Sequence, residues 1–248
     1  MARPKEFKEG EALRKAVSLF CQQGFAATST DELMRVMGIS RQSMYDTFGD
    51  KRTLFLHALE FYVTNSVRSM EAELEKGGSP LSAVMNALVT FAERKDMTSA
   101  EGCMGLNAIS EFGERDAEVT RITRIAARSQ RDTLIRVLKK AKAEGELDPE
   151  ADIHNAADFF ECTLVGIKMA AKAGKPRRSL RAIAIFAGRA LSHGGPCRIG
   201  RTTLKLSSEV EKSSSFSCSS SSSRILTVTQ TEQDNSQVDR IFSRRRSQ

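Results

Sequence analysis

An all-α protein is predicted by three observations. Apolar residues recur at three- and four-residue spacing through most of residues 9–191. No stretch alternates apolar and polar residues as a half-buried strand would. Short Gly, Pro and Ser breaks separate the apolar runs, in the places where such residues stop and start helices. At 248 residues and 40% apolar content, the chain is long enough to bury the cores of two modest domains.

In chain order, residues 1–8 form a polar arm with Arg3, Lys5 and Lys8. Residues 9–23 place Ala12, Leu13, Ala16, Val17, Leu19 and Phe20 at helical spacing, and Gly24 closes that helix. Cys21 at its end is read as packing. Residues 28–51, TSTDELMRVMGISRQSMYDTFGDK, read as two short helices across a sharp corner. Thr30 or Asp31 is expected to cap the first, whose inner face is Leu33, Val36 and Met37. Gly38 suits the left-handed conformation that ends a helix, and Ser40 is placed to cap the next. In that second helix, about residues 41–48, Met44 and Phe48 share one face. Arg41, Gln42, Ser43, Tyr45 and Thr47 occupy the others. A longer helix is predicted over residues 51–74, with Leu54, Phe55, Ala58, Leu59, Tyr62 and Val63 inward.

Gly77-Gly78-Ser79-Pro80 is the first clear break, with Pro80 suited to start a helix. Helices are predicted over residues 81–94 (Val84, Met85, Leu88, Phe91), 103–112 (Met104, Leu106, Ile109, Phe112) and 119–143 (Ile122, Ile125, Ala126, Leu134, Val137, Leu138). After a turn at 145–149 come helices over 153–173 and 179–191, parted by Gly174-Lys175-Pro176. The last pair is apolar almost all round: Ala156, Ala157, Phe159, Phe160, Leu164, Val165 and Ile167 on one, Leu180, Ile183, Ala184, Phe186, Ala187 and Leu191 on the other. Such helices must be covered on both sides, by their own chain or by a second copy. From 194 onward a serine-rich stretch and a tail without apolar period are predicted to be disordered. The tail is either a C-terminal extension or an out-of-frame continuation.

The formal charge of +7 is unevenly spread. Residues 195–248 carry nine Lys/Arg against five Asp/Glu, leaving 29 against 26 in residues 1–194. No signal-peptide pattern opens the chain and no run of about 18 apolar residues occurs, so a cytoplasmic protein without membrane partner is expected. Five cysteines lack CxxC spacing and three histidines lie far apart, so neither disulfides nor a metal site are indicated. No GxSxG, GxxxxGK or HExxH pattern is present, and neither catalytic residues nor cofactors are expected. Glu111, Glu114 and Asp116 are read as cap and solvent-facing charge.

Two helices at a steep angle across a Gly-containing turn form a helix-turn-helix, whose second helix fits the major groove of B-DNA. The stretch resembles the TetR/AcrR family of bacterial transcriptional regulators. The resemblance rests on Gly24-Phe25, Thr28, Thr30, Leu33, Met37-Gly38-Ile39-Ser40, Met44-Tyr45, Phe48, Lys51 and Leu54. It implies a three-helix DNA-binding head over residues 1–50, a connector helix over 51–76, and a ligand-binding and dimerisation bundle over 80–193, with the tail from 194 a departure.

The resemblance further implies a homodimeric repressor of a palindromic operator in double-stranded DNA, released by a small-molecule effector. Arg41, Gln42, Ser43 and Tyr45 are the candidates for base contacts. Thr28, Thr30, Tyr45 and Lys51 are the candidates for phosphate contacts, with the backbone amides of the turn at Lys51 in support. The basic arm is also suited to lie along phosphates or in a minor groove. Met85, Leu88, Phe91, Cys103, Met104, Asn107, Phe112, Ile125 and Phe159 are expected to line the effector pocket. Phe160, Leu164, Ile167, Leu180, Ile183, Phe186 and Ala187 are expected at the dimer interface.

A second reading is a helical dimer acting as a redox or electrophile sensor without a specific operator. Cys103 carries it: Gly102 and Gly105 on either side give access, and a helix N-terminus favours a thiolate. An enzyme is the weakest option.

Overall fold

The chain folds into helices in the order α1 (Glu9–Ala27), α2 (Thr30–Met37), α3 (Arg41–Phe48), α4 (Lys51–Leu74), α5 (Pro80–Glu93), α6 (Met104–Phe112), α7 (Ala117–Ala143), α8 (Ile153–Lys172) and α9 (Arg177–Leu191). The computed structural model describes residues 8–93 and 102–192, and among these there is no strand. The expectations for Arg3 and Lys5 of the arm, for His193 and for the tail fall outside the described residues.

The starts of the helices are set by side chains that accept orphan amides. Ser40 Oγ accepts from Ser43 N, Asp50 from Thr53 N, and Asp116 from the amides of Glu118 and Val119. At α2 the cap is Ser29, accepting from Glu32 N, and not Thr30 or Asp31. Those two lie already inside the helix. Gly38 ends α2 at φ 72°, in the left-handed region the corner requires. Pro80 opens α5, and α7 and α9 each start two residues earlier than their apolar spacing suggests.

The head packs α1 to α3 and the first half of α4 around Leu13, Phe20, Leu33, Met44, Phe48, Leu54 and Phe55, all buried. The body core is a second cluster in which Met70 and Leu74 of α4 meet Val84, Leu88 and Phe91 of α5 and Leu134 and Leu138 of α7. Phe160, Leu164 and Ile167 of α8 and Leu180 and Ala187 of α9 complete it. Thus α4 belongs to both cores, and α7 lies along it for much of its length.

Three expectations about inner faces are corrected. Ile109 and Ile125 are exposed, at 54% and 60%, and do not lie on inner faces of α6 and α7. Phe159 is likewise exposed. No helix among the described residues is long and apolar enough to cross a membrane.

Candidate nucleic-acid interface

Helix α3 is anchored by Met44 and Phe48, whose side chains are wholly buried, and its opposite side is open. Arg41 and Gln42 are exposed there, Ser43 is half-exposed, and Tyr45 is 47% exposed. Each polar group but the tyrosine hydroxyl is held by a neighbour. Arg41 Nη2 donates to Asp31 Oδ1 at 2.6 Å, Gln42 Nε2 donates to Asp46 Oδ1 at 2.7 Å, and Ser43 Oγ lies 2.9 Å from Ser40 Oγ. These are surface contacts that water or DNA can replace at small expense. They hold the long side chains in a limited set of rotamers, projecting from a rigid helix.

Around this strip, Thr30 sits half-exposed at the first position of α2. Lys51 lies at the first position of α4 with its Nζ 4.3 Å from the centre of the Phe25 ring. The neighbouring amide of Thr53 is occupied: the Asp50 carboxylate accepts it at 2.7 Å, and that bond holds the Asp50 carboxyl below the usual aspartate range. An anion at this turn therefore meets Lys51 and the unshared amides beside a carboxylate, not a fully open helix end. Thr28 corrects the sequence expectation more directly. Its side chain is buried and its hydroxyl donates to Gly24 O at 2.6 Å, so it serves the bend after α1 instead of facing outward.

The head is joined to the body by contacts that the sequence did not announce. Gly24 breaks α1 with φ 79° and ψ −172°, and helix α6 splices the break. Asn107 Nδ2 donates to Cys21 O at 2.8 Å and, at 3.3 Å, to Phe20 O. The Glu111 carboxylate accepts the amides of Phe25 at 2.9 Å and Ala26 at 2.8 Å. A side chain at Gly24 would overlap that carboxylate, and one at Gly102 would come within 2.5 Å of Cys21 O. Alongside, Phe112 and Phe55 and Phe112 and Phe25 stack with centroids 5.4 Å apart, and Arg52 donates to both oxygens of Asp116. Glu111 is thus a bridging residue, whereas Asp116 caps α7 as expected.

The predicted pocket residues are spread over several settings among the described residues. Leu88, Phe91 and Met104 are sealed in cores, Met85 packs against Gly188, Asn107 and Phe112 hold the junction, and Phe159 is on the surface. Cys103 is buried, and Gly102 serves close packing against α1, not access to the thiol. The cysteine-sensor reading therefore loses its structural support. Ile125 of the predicted set lines a pocket of about 170 Å³ between α4 and α7, with Val63, Val67, Ile122, Glu60 and Arg121.

The predicted interface residues divide by face. Phe160, Leu164, Ile167, Leu180 and Ala187 point into the protomer's own core, while Ile183 and Phe186 are exposed. The open apolar surface of α8 and α9 consists of Phe159, Val165, Met169, Ile183 and Phe186, the last 77% exposed. Ile183 and Phe186 are the members of the predicted set that belong to this exposed face.

A capped two-helix corner with a polar outer strip, linked by a long helix to a separate helical body, defines a helix-turn-helix transcriptional regulator. Residues 12–58 match the model for "Bacterial regulatory proteins, tetR family", and residues 77–186 that for "Tetracyclin repressor-like, C-terminal domain". The chain is 32% identical to the HTH-type transcriptional regulator YezE of Bacillus subtilis over 69% of its length and 90% of that protein. It is 30% identical to the HTH-type transcriptional repressor ComR of Escherichia coli over 73% and 88%. Its fold is similar to that of the TetR family regulator CifR, in a cysteine mutant complexed with 26bp double-strand operator DNA. There the TM-score is 0.61 at 28% identity, over 76% of this chain and 99% of that one. The chain belongs to the TetR family of bacterial transcriptional regulators.

Proposed function

We propose that the protein is a cytoplasmic transcriptional repressor. It binds a palindromic operator in double-stranded DNA as a two-fold dimer and leaves it when a small molecule occupies the body. The observation that carries this is the outer strip of α3: Arg41, Gln42 and Tyr45 exposed opposite the buried Met44 and Phe48. Arg41 is suited to guanine and Gln42 to adenine, each through two parallel hydrogen bonds, once released from Asp31 and Asp46. Ser43 and Tyr45 complete the base-facing set, and Thr30, Tyr45 and Lys51 hold phosphates on either side. The relatives support the repressor reading, since ComR is named as one.

The dimer forms through the outer face of α8 and α9, with Phe159, Val165, Met169, Ile183 and Phe186 meeting their symmetry mates. Two heads so joined read half-sites about one helical turn apart. The effector site is the pocket between α4 and α7, whose apolar walls and charged Glu60 and Arg121 suit a small amphipathic molecule. Its occupancy shifts α7 against α4, and the Glu111 and Asn107 contacts carry the shift through α6 to α1. The ligand acts only if it binds the two head positions with different affinity.

The test is selection of bound DNA from a random pool. An inverted repeat with half-sites in register with the dimer is expected, and a pool without any repeated half-site would refute the reading.

A further inference from the structure

The turn between α8 and α9 is strongly basic. Residues 162–192 contain seven Lys and Arg and no Asp or Glu, a charge equal to the formal +7 of the whole chain. Lys172, Lys175, Arg177 and Arg178 are all exposed at or beside the turn. Its backbone is well defined: Gly174 takes φ 81°, and the amides of Gly174 and Lys175 donate to Ala171 O and Ala170 O, each at 2.9 Å.

Two observations set this cluster apart from an ordinary solvated face. Several arginines of the body are neutralised, Arg124 by Glu114, Arg131 by Asp158 and Glu161, and, one turn further along α9, Arg181 of the same stretch by Glu93. The side chains of Lys175 and Arg178 make no ion pair or hydrogen bond among the described residues. Moreover, Arg177 and Arg178 stand in the first turn of α9, which holds no acidic residue, so two cations face the positive end of the helix dipole. Local stability would favour carboxylates there.

Location supplies the partner. Lys172 Nζ donates to Asn107 Oδ1 at 2.6 Å, and Asn107 in turn holds the carbonyls of Phe20 and Cys21 in α1. The turn is therefore at the head end of the body. The opposite end of α7 lies about 40 Å from Asp116, at 1.5 Å per residue.

We propose that this turn is a second, sequence-independent DNA-binding surface that holds phosphates of the operator segment between the two half-sites. The proposal rests on the operator-binding dimer argued above. With α8 and α9 at the two-fold axis, the turns of both protomers sit between the two heads and combine their charge over the centre of the site. Lysines and arginines on phosphates add affinity without reading bases.

The full-length protein is tested on the operator recovered by selection, with dissociation constants measured between about 50 and 200 mM salt. Lys175→Gln/Arg178→Gln is compared with Lys139→Gln/Lys140→Gln, which removes the same charge from exposed positions at the far end of α7. The turn variant removes four cations per dimer. It should flatten the slope of log K against log salt by up to about 3.6, at ~0.9 per phosphate, and leave the selected sequence unchanged. The far-end variant should keep the wild-type slope. Equal flattening in both variants, an unchanged slope in the turn variant, or an altered half-site preference would each overturn the proposal. A wild-type protein that binds selected and random DNA alike would instead overturn the underlying operator reading.

Discussion

The head and the body each leave one helix surface uncovered, and the two surfaces are opposite in character. Helix α3 turns Arg41, Gln42 and Tyr45 to solvent, while α8 and α9 turn out Phe159, Val165, Met169, Ile183 and Phe186. A polar strip is stable in water and needs a partner only to perform its function. A contiguous apolar face is unfavourable until something covers it. Under the proposed function the contrast gives the two surfaces different places in one mechanism: the body's association would be prior and lasting, and the head's conditional on DNA and reversible.

The strongest way to break this contrast is to charge the apolar face. Phe186→Asp should yield a monomer in sedimentation equilibrium and lower operator affinity by about 100-fold or more, since linked heads gain ~10²- to 10⁴-fold over separate ones. A variant that remains dimeric would place the interface elsewhere. On the polar strip the effects are smaller and differ in kind. Arg41→Ala should reduce operator affinity by about 1–3 kcal/mol and relax preference at one base pair, while Lys51→Ala weakens all sequences alike and lowers the salt slope by about 1. Competition assays with single-base operator variants separate the two, and equal loss on random DNA from Arg41→Ala would remove it from the groove.

Much of this was legible in the residues, for reasons that also explain the misses. The α2–α3 corner was readable because its signals are local: Gly38, the Ser40 cap, and Met44 and Phe48 four residues apart. The faces of α8 and α9 were not. When apolar residues occupy most of a helix, spacing identifies the helix as buried but cannot say which side meets its own chain. Phe160 and Phe159 are adjacent in sequence, yet one is sealed in the core and the other exposed. The pocket was hard to read for a related reason, since apolar residues that line a cavity and those that fill a core look the same. Glu111 reads as cap or solvent-facing charge because its partners, the amides of Phe25 and Ala26, lie some 85 residues away and leave no trace in the local pattern.

That long-range clamp invites the next test, because it separates the head's own folding from its attachment to the body. Glu111→Ala removes two charge-assisted bonds from an exposed site and should lower stability by about 1–2 kcal/mol in urea unfolding. Gly24→Ala should destabilise the wild type more than it does the Glu111→Ala background. The alanine methyl would overlap the carboxylate in the first and meet only the backbone strain of φ 79° in the second. Additive effects would mean that the two residues do not share the junction.

The smallest effect should appear in acid, where Asp116 again sets head against body. Its carboxyl is held below the usual aspartate range, first by the Arg52 guanidinium and then by the amide of Val119. Asp50 and Asp152, which cap α4 and α8, are lowered by the amides they accept. A group whose folded pKa is depressed binds fewer protons folded than unfolded, so stability rises with pH across that interval. The contribution is complete above about pH 5 and is lost as pH falls below the ordinary value near 3.9 and through the folded one. Arg52→Gln removes the cation from one of the three sites and leaves the other two capping bonds intact. It should lower stability at pH 7 by about 1 kcal/mol, since the pair is partly exposed, and make the acid limb of the urea midpoint shallower. An acid limb as steep as the wild type's would mean that the bond between α4 and α7 contributes nothing to joining the two halves, leaving the Glu111 clamp and the aromatic stack to hold them.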